Sequence, residues 1–362
     1  MARQASEGNR PDSALPGIET VVEPHTVYVA DDPVRPRWRF AFLVQSRSDT
    51  DLEVVEFRIQ HRAEPSAPWL QAPTPRVCPT DRARLDGPDI TVGPSRIAPG
   101  AFTGIDLRDC VPGEMPSAIR VEADVRGGQS TGITTVSRVV SLIPRATRYV
   151  TFPLEGAWVA GNARADQHGI GRAFAFDFVT EADQQIHTAP KVNELRPDQF
   201  DSYNQPLHSP VDGRVVACEN AMPDLACTPR GGGTYGKGLP DGLPKSAFFG
   251  NYVLIEADAS DCLLMAHLKQ GSVLVRSGMQ VAAGQLVGRV GNSGNTSGAH
   301  LHIELLDGIL EFDKLLTPDF RQSGLPFGFR DVVLKNATGR RCGDLVPEKG
   351  DIVARRGSPV DG

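Results

Sequence analysis

Between residues 21 and 146, bulky apolar residues alternate with polar ones in short runs: RWRFAFLVQ (37–45), LEVVEFRIQ (52–60), AIRVEADV (118–125) and TTVSRVVSLI (134–143). A period of two is the pattern of strands with one buried face. Turn clusters such as SRSDTD and VRGGQSTG separate the runs, and none carries the 3.6-residue period of a long amphipathic helix. The pattern predicts a β-sandwich of immunoglobulin-like type over 21–146. Its charged residues form no constellation, so a supporting or binding role is expected of it. Residues 1–20 are polar and aperiodic and predict a disordered arm.

The stretch IPRATR (143–148) reads as a boundary. Beyond it short apolar runs resume: RAFAFDFV, GRVVAC, GNYVLIEAD, CLLMAHL, SVLV, QLVGRVG and AHLHIELL. Many short strands joined by Gly-rich turns predict a compact antiparallel β-sheet domain over 147–317. The tail 318–362 contains FGFRDVVL and EKGDIVARR, expected as strands of a C-terminal extension packing on that domain. The fold class predicted for the whole chain is mainly β. The tract TPRGGGTYGKGLPDGLP (228–244) predicts a flexible loop; its GKG lacks the following hydroxyl residue and helix of a phosphate-binding loop.

Composition narrows the function. The 362 residues suffice for two domains with real cores, and a net charge of −6 argues against a nucleic-acid partner. No stretch reaches the roughly 18 apolar residues of a membrane span, and the polar N-terminus lacks the apolar core of a signal peptide. The expected location is the cell envelope or outside the cell if a leader was removed, and the cytoplasm otherwise. None of the six cysteines forms a CxxC pair, which argues against a cysteine zinc cluster. Cys218 and Cys227 are spaced to staple one loop; the other reading is free, partly buried thiols.

The chemistry concentrates in MAHLKQGSVLVRSGMQVAAGQLVGRVGNSGNTSGAHLHIEL (265–305). His300 and His302 stand two apart in a strand-like run, so alternation puts both imidazoles on one face and Leu301 and Ile303 on the other. A third histidine, His267, ends an apolar strand. Gly, Asn and Ser residues between them supply tight turns and close backbone approach.

This segment closely resembles the catalytic core of the lysostaphin and LytM family of zinc endopeptidases. The resemblance runs from Pro206 to Glu304 and includes PLHSPVDGRVVA, GNYVLIE, the AHL around His267 and QLVGRVGNSGNTSGAHLHIE. It weakens over 150–205 and is absent before that. It implies one zinc ion per chain, held by two histidines and an aspartate. His302 maps onto one ligand, and the upstream pair is implied to be His168 and Asp177 in DQHGIGRAFAFDFV. The commonest family pattern puts three residues between that pair and this chain has eight. Gly169 and Gly171 can turn the chain, and a following strand would send Phe174, Phe176 and Phe178 one way and Asp177 the other. His187, in a polar loop-like run, and His208, in a turn before Pro210, are competing ligands whose plainer reading is a solvated surface histidine. His25 and His61 lie in the other domain.

The resemblance implies hydrolysis of peptide bonds in peptidoglycan cross-links or stem peptides by zinc-activated water. Three protein ligands leave one position for that water. His300 is implied as the base and His267 as the group that stabilises the oxyanion or shares the proton work. The 228–244 tract would wall the groove. Two other readings remain open at this point: a peptidase acting on a peptide other than cell wall, and an inactive LytM-like binding or activator module. A zinc deaminase would need HxE with PCxxC, which is absent.

Overall fold

Each of the four N-terminal alternating runs forms a strand: Arg39–Ser46, Leu52–Arg62, Ala118–Gly127 and Ile133–Arg145. The structure is a computed structural model describing residues 17–33, 37–72, 90–92, 96–108, 115–127, 132–163, 172–188, 194–227, 239–258, 261–314 and 322–358. The chain divides into two units, Met1–Arg145 and Ala146–Gly362.

The first unit holds two sheets. One orders Ile18–Glu23, Arg39–Ser46, Phe102–Arg108 and Ile90–Val92; the other orders Val27–Ala30, Ile133–Arg145, Ala118–Gly127, Leu52–Arg62 and Leu70–Gln71. Phe40, Phe42, Val44 and Ile105 of the first sheet and Ile59, Val121, Val125 and Val140 of the second belong to one buried cluster, the core of a β-sandwich. The first strand begins at Ile18, inside the stretch expected to be a disordered arm. Its backbone pairs with Arg39–Ser46, and Val22 enters the core. That stabilisation comes from a distant strand and leaves no local period. Residues 1–16 lie outside the described residues.

The second unit is built on an eleven-stranded sheet. Its order is Arg148–Thr151, Phe327–Asn336, Ile352–Arg355, Ala157–Ala163, Phe176–Val179, Leu301–Leu306, Cys262–Leu268, Asn251–Glu256, Gly213–Glu219 and Gln280–Val281, with Gly339–Leu345 pairing Phe327–Asn336. Pairing is antiparallel except between Arg148–Thr151 and Phe327–Asn336. The tail is therefore part of the sheet: Phe327 and Phe329 bury their rings with Phe152, Phe176 and Phe178, with centroid separations of 5.0–5.9 Å. Aromatic pairs in such tilted and edge-to-face arrangements add about 0.5–1.5 kcal/mol each beyond area burial.

Two expected strands differ. RAFAFDFV is extended only over Phe176–Val179. Arg172–Phe174 form a turn in which the Ala175 N–H donates to the Arg172 carbonyl, and Phe174 is buried there. SVLV is not a strand. Val273 and Val275 are buried, but the Val273 N–H donates to Asn220 Oδ1 and the Leu274 N–H to the Val287 carbonyl, so no continuous ladder forms. Cys218, Cys227, Cys262 and Cys342 are free thiols, so Cys218 and Cys227 staple nothing.

Candidate active site

Three adjacent strands of the second unit carry the site. Asp177 is the cross-strand partner of His302, and His302 is the partner of Ala266. Directly opposed residues share a face, so the Asp177 carboxylate and the His302 imidazole meet. His302 Nδ1 lies 2.9 Å from Asp177 Oδ1, and Asn162 Nδ2 donates to Asp177 Oδ2 at 2.8 Å. Phe176 and Phe178, on the other face, are wholly buried in the aromatic cluster and hold the strand in place.

His267 breaks the alternation. With Ala266 opposite His302, a regular strand would send the next side chain to the other face. His267 instead has φ +61°, in the left-handed region. Its ring comes to the same side, 4.7 Å from the His300 ring centroid and 5.9 Å from that of His302. A non-glycine residue held there stores strain, which surrounding structure must over-determine. The surroundings are a buried network. Asn251 Nδ2 donates to the carbonyls of Met222 and Leu268, Ser293 Oγ donates to the Leu268 carbonyl, and the Asn251 N–H donates to Ser293 Oγ. Gly250, at φ +63°, lets Ser293 approach; a Cβ there would stand 2.3 Å from the Ser293 carbonyl carbon.

The two flanking histidines share a hydrogen-bond logic. His267 Nδ1 lies 2.9 Å from the Ser293 carbonyl oxygen and His300 Nδ1 lies 2.8 Å from that of Gly298. A carbonyl only accepts, so each Nδ1 carries a proton, and in the neutral form of either ring the lone pair is left on Nε2. For His300, Nε2 faces Asp177 Oδ1 at 3.6 Å. Burial, reinforced by the neighbouring imidazoles of His300 and His302, pushes His267 well below the ordinary histidine value. For His302 burial acts in the same downward direction but is overcome by the carboxylates of Asp177 and Glu304, which raise it to about 9.

His302 Nδ1 and Asp177 Oδ1 converge at a separation where a proton or a cation can hold the two together. An imidazole nitrogen and a carboxylate oxygen are donors that zinc accepts. His168, implied as the third ligand, lies outside the described residues, and among the described residues no group of three His, Cys, Asp or Glu side chains stands ready for a metal. The two donors present fit part of a zinc ligand set. The stretch 228–238 of the expected groove wall also lies outside the described residues.

His187 and His208 depart from the expectation of solvated surface residues. His187 is on the helix Glu181–Thr188, stacks on Phe200 with centroids 6.1 Å apart, and packs where a Cβ on Gly298 would come within 2.6 Å of its ring. Burial, helped by the nearby His300, lowers its pKa. The helix start was legible: Thr180 caps it by accepting the Asp183 N–H, and Thr followed three residues later by an acid is a helix-start signature. His208 is in the short strand Pro206–His208, with Nε2 3.5 Å from Glu155. Glu304, buried beside His302, was also passed over although its spacing from His300 and His302 puts it on their face.

A β-sheet presenting a half-buried aspartate and three clustered histidines offers nitrogen and oxygen donors of the kind that metal-dependent hydrolytic sites use. Comparison with known proteins narrows this: residues 198–313, within the second unit, match the model of Peptidase family M23. The matched stretch contains His267, His300 and His302 and begins after Asp177. Curated relatives include two proteins of Vibrio cholerae serotype O1. The chain is 35% identical over 108 residues to the peptidoglycan DD-endopeptidase ShyB, covering 29% of this chain and 24% of ShyB. It is 36% identical over 73 residues to the peptidoglycan DD-endopeptidase ShyA, covering 20% of this chain and 16% of ShyA. The chain thus spans a quarter or less of these relatives' length. Among solved structures, the catalytic domain of the prophage-encoded M23 protein EnpA from Enterococcus faecalis aligns at 18% identity and a TM-score of 0.27, covering 47% of this chain and 88% of that one. No helix among the described residues is long and apolar enough to cross a membrane.

Proposed function

We propose that the second unit is a zinc-dependent endopeptidase that hydrolyses peptide bonds in peptidoglycan cross-links or stem peptides. The observation that carries this reading is the Asp177–His302 pair at 2.9 Å, flanked by two histidines whose Nδ1 atoms are fixed on backbone carbonyls. The relatives named as peptidoglycan DD-endopeptidases support the substrate class. Such a substrate puts the place of action in the cell envelope.

His168, Asp177 and His302 would hold one zinc ion. Zinc, when bound, supplies a Lewis acid that activates water and polarises the scissile carbonyl. The protein's part is proton handling and charge stabilisation. His300, with Nδ1–H committed to Gly298, accepts the proton of the attacking water at Nε2 and returns it to the leaving amine. His267, kept neutral by burial and with its Nδ1–H on the Ser293 carbonyl, presents an Nε2 lone pair and is the group placed to share that proton work; it could stabilise an oxyanion only after taking a proton at Nε2.

The test is zinc content by elemental analysis for wild type, Asp177→Ala and His302→Ala, alongside turbidity loss of purified peptidoglycan. One zinc per wild-type chain, its loss in both variants and clearing of the wall would uphold the reading. Zinc without clearing would point to a different peptide substrate. No zinc after reconstitution would sink the catalytic account.

A further inference from the structure

Glu304 lies beneath the site, 1% exposed, two residues beyond His302 on the same strand and therefore on the same face. A carboxylate in that position is costly unless its charge is met. It is met from two sides. Arg172 Nη1 is 3.2 Å from Glu304 Oε1, and the same oxygen is 3.5 Å from His302 Nε2. The guanidinium is fixed in turn, 4.3 Å above the Phe249 ring and 5.7 Å from that of Phe248. The two nitrogens of His302 are thus divided between two acids, Nδ1 facing Asp177 and Nε2 facing Glu304.

We infer that Glu304, anchored by Arg172, is a positioning residue that holds the His302 Nε2–H and so commits the Nδ1 lone pair to the metal. This rests on the zinc-site reading above and extends it to a residue outside the ligand set. The physical reason is that an imidazole ligating through one nitrogen must carry its proton on the other. A carboxylate at that second nitrogen fixes both tautomer and ring orientation and raises ligand basicity. Glu304 touches neither substrate nor reacting atoms. Arg172 has the matching task of keeping the carboxylate aimed at the ring. Because Arg172 opens the turn leading into Phe176–Val179, the same ion pair ties the strand of Asp177 to the strand of His302.

A merely structural ion pair would leave zinc affinity untouched once the variant folds, and this separates the two roles. The experiment titrates Zn2+ into the full chain against a chromophoric chelator for wild type, Glu304→Ala, Glu304→Gln and Arg172→Met. The fold of each metal-free variant is checked by near-ultraviolet circular dichroism. Glu304→Ala is expected to weaken zinc binding about 10- to 100-fold. Glu304→Gln, which keeps an oxygen for Nε2–H, should recover most of that loss, and Arg172→Met should fall between.

Should Glu304→Ala not fold, two-bond 1H–15N spectra of histidine-labelled, zinc-loaded wild type and Glu304→Gln carry the test. The expected result is an Nε2–H tautomer for His302 in both, with the Nε2 proton moved upfield in the variant. An unmoved proton, or wild-type zinc affinity in folded Glu304→Ala, overturns the inference while leaving the metallopeptidase reading intact. A wild-type chain that binds no zinc overturns both.

Discussion

In the proposed function, the role of each site histidine follows from the atom its Nδ1 faces. Rings whose Nδ1 proton is held by a carbonyl turn Nε2 away from that carbonyl, whereas His302 presents Nδ1 to Asp177. This division predicts two kinds of loss. His267→Ala and His300→Gln should keep full zinc content and lose about 10²- to 10⁴-fold in kcat on a cross-linked muropeptide. If either variant instead loses its zinc, that residue belongs to the ligand set and the division is wrong. Sequence spacing made the paired His300 and His302 legible, since a period of two is all that is needed. It could not make His267 legible as a neighbour of both, because that depends on a left-handed backbone angle in a β-strand. There the resemblance to known peptidases, and not the alternation, supplied the expectation. Cysteine chemistry follows from burial at the same scale. Burial pushes the Cys262 thiol up to about 12, while Cys342 is exposed. Alkylation of the native chain at pH 8, mapped by peptide mass spectrometry, should label Cys342 within minutes and leave Cys262 unlabelled until the protein is denatured. Equal labelling of the two would show that the strand Cys262–Leu268 opens readily.

Elements explain how distant residues meet. The helix Glu181–Thr188 presses His187 against Gly298, whose carbonyl receives the His300 Nδ1 proton. Gly298→Ala should therefore push the loop and its acceptor away from His300, lowering turnover with zinc retained. Removing the obstructing ring in Gly298→Ala/His187→Ala should restore part of that turnover. A double variant as impaired as the single one would mean that the glycine matters for another reason. The tail shows the same dependence on long-range pairing. FGFRDVVL reads locally as a strand, but its place in the sheet beside Arg148–Thr151 and Ile352–Arg355 is set by pairings across up to about two hundred residues, to which no local pattern points. Its two phenylalanines complete the cluster under Asp177, so Phe329→Ala should cost about 3–5 kcal/mol of stability in chemical denaturation. A loss below about 1 kcal/mol would show that the cluster collapses to fill the space.

At the scale of the molecule each unit has its own core, and the charges that stabilise the first unit set a pH window for it. Asp106 is half-buried. Burial alone would raise its pKa, but hydrogen bonds from Arg39 (2.7 Å from Nη2) and Arg108 outweigh that and leave it below 3.8. Asp124 is lowered first by its hydrogen bonds from Arg58, including one of 2.8 Å from Nη2, against a smaller opposing effect of burial, with Thr135 adding a further bond. A carboxyl group whose folded pKa is depressed contributes stability that is fully present above its unfolded value. That contribution is lost as pH falls through the folded value. The first unit should therefore hold its stability from neutral pH down to about 4 and weaken progressively below that. Asp124→Asn should flatten the acid limb, because the substituted side chain has no proton to gain. Amide hydrogen exchange of the intact chain between pH 3 and pH 6, corrected for intrinsic rates, reads this separately in each unit. Protection in Ala118–Gly127 and Leu52–Arg62 should fall below pH 4 in wild type and fall less steeply in Asp124→Asn, whose protection at pH 6 is already lower. Parallel acid limbs in the two proteins would mean that the Arg58 cluster is a solvated surface network. The acid sensitivity would then have to come from elsewhere in the sandwich, and the Arg39–Asp106 pair, with its arginine 7% exposed, would be the next position to substitute.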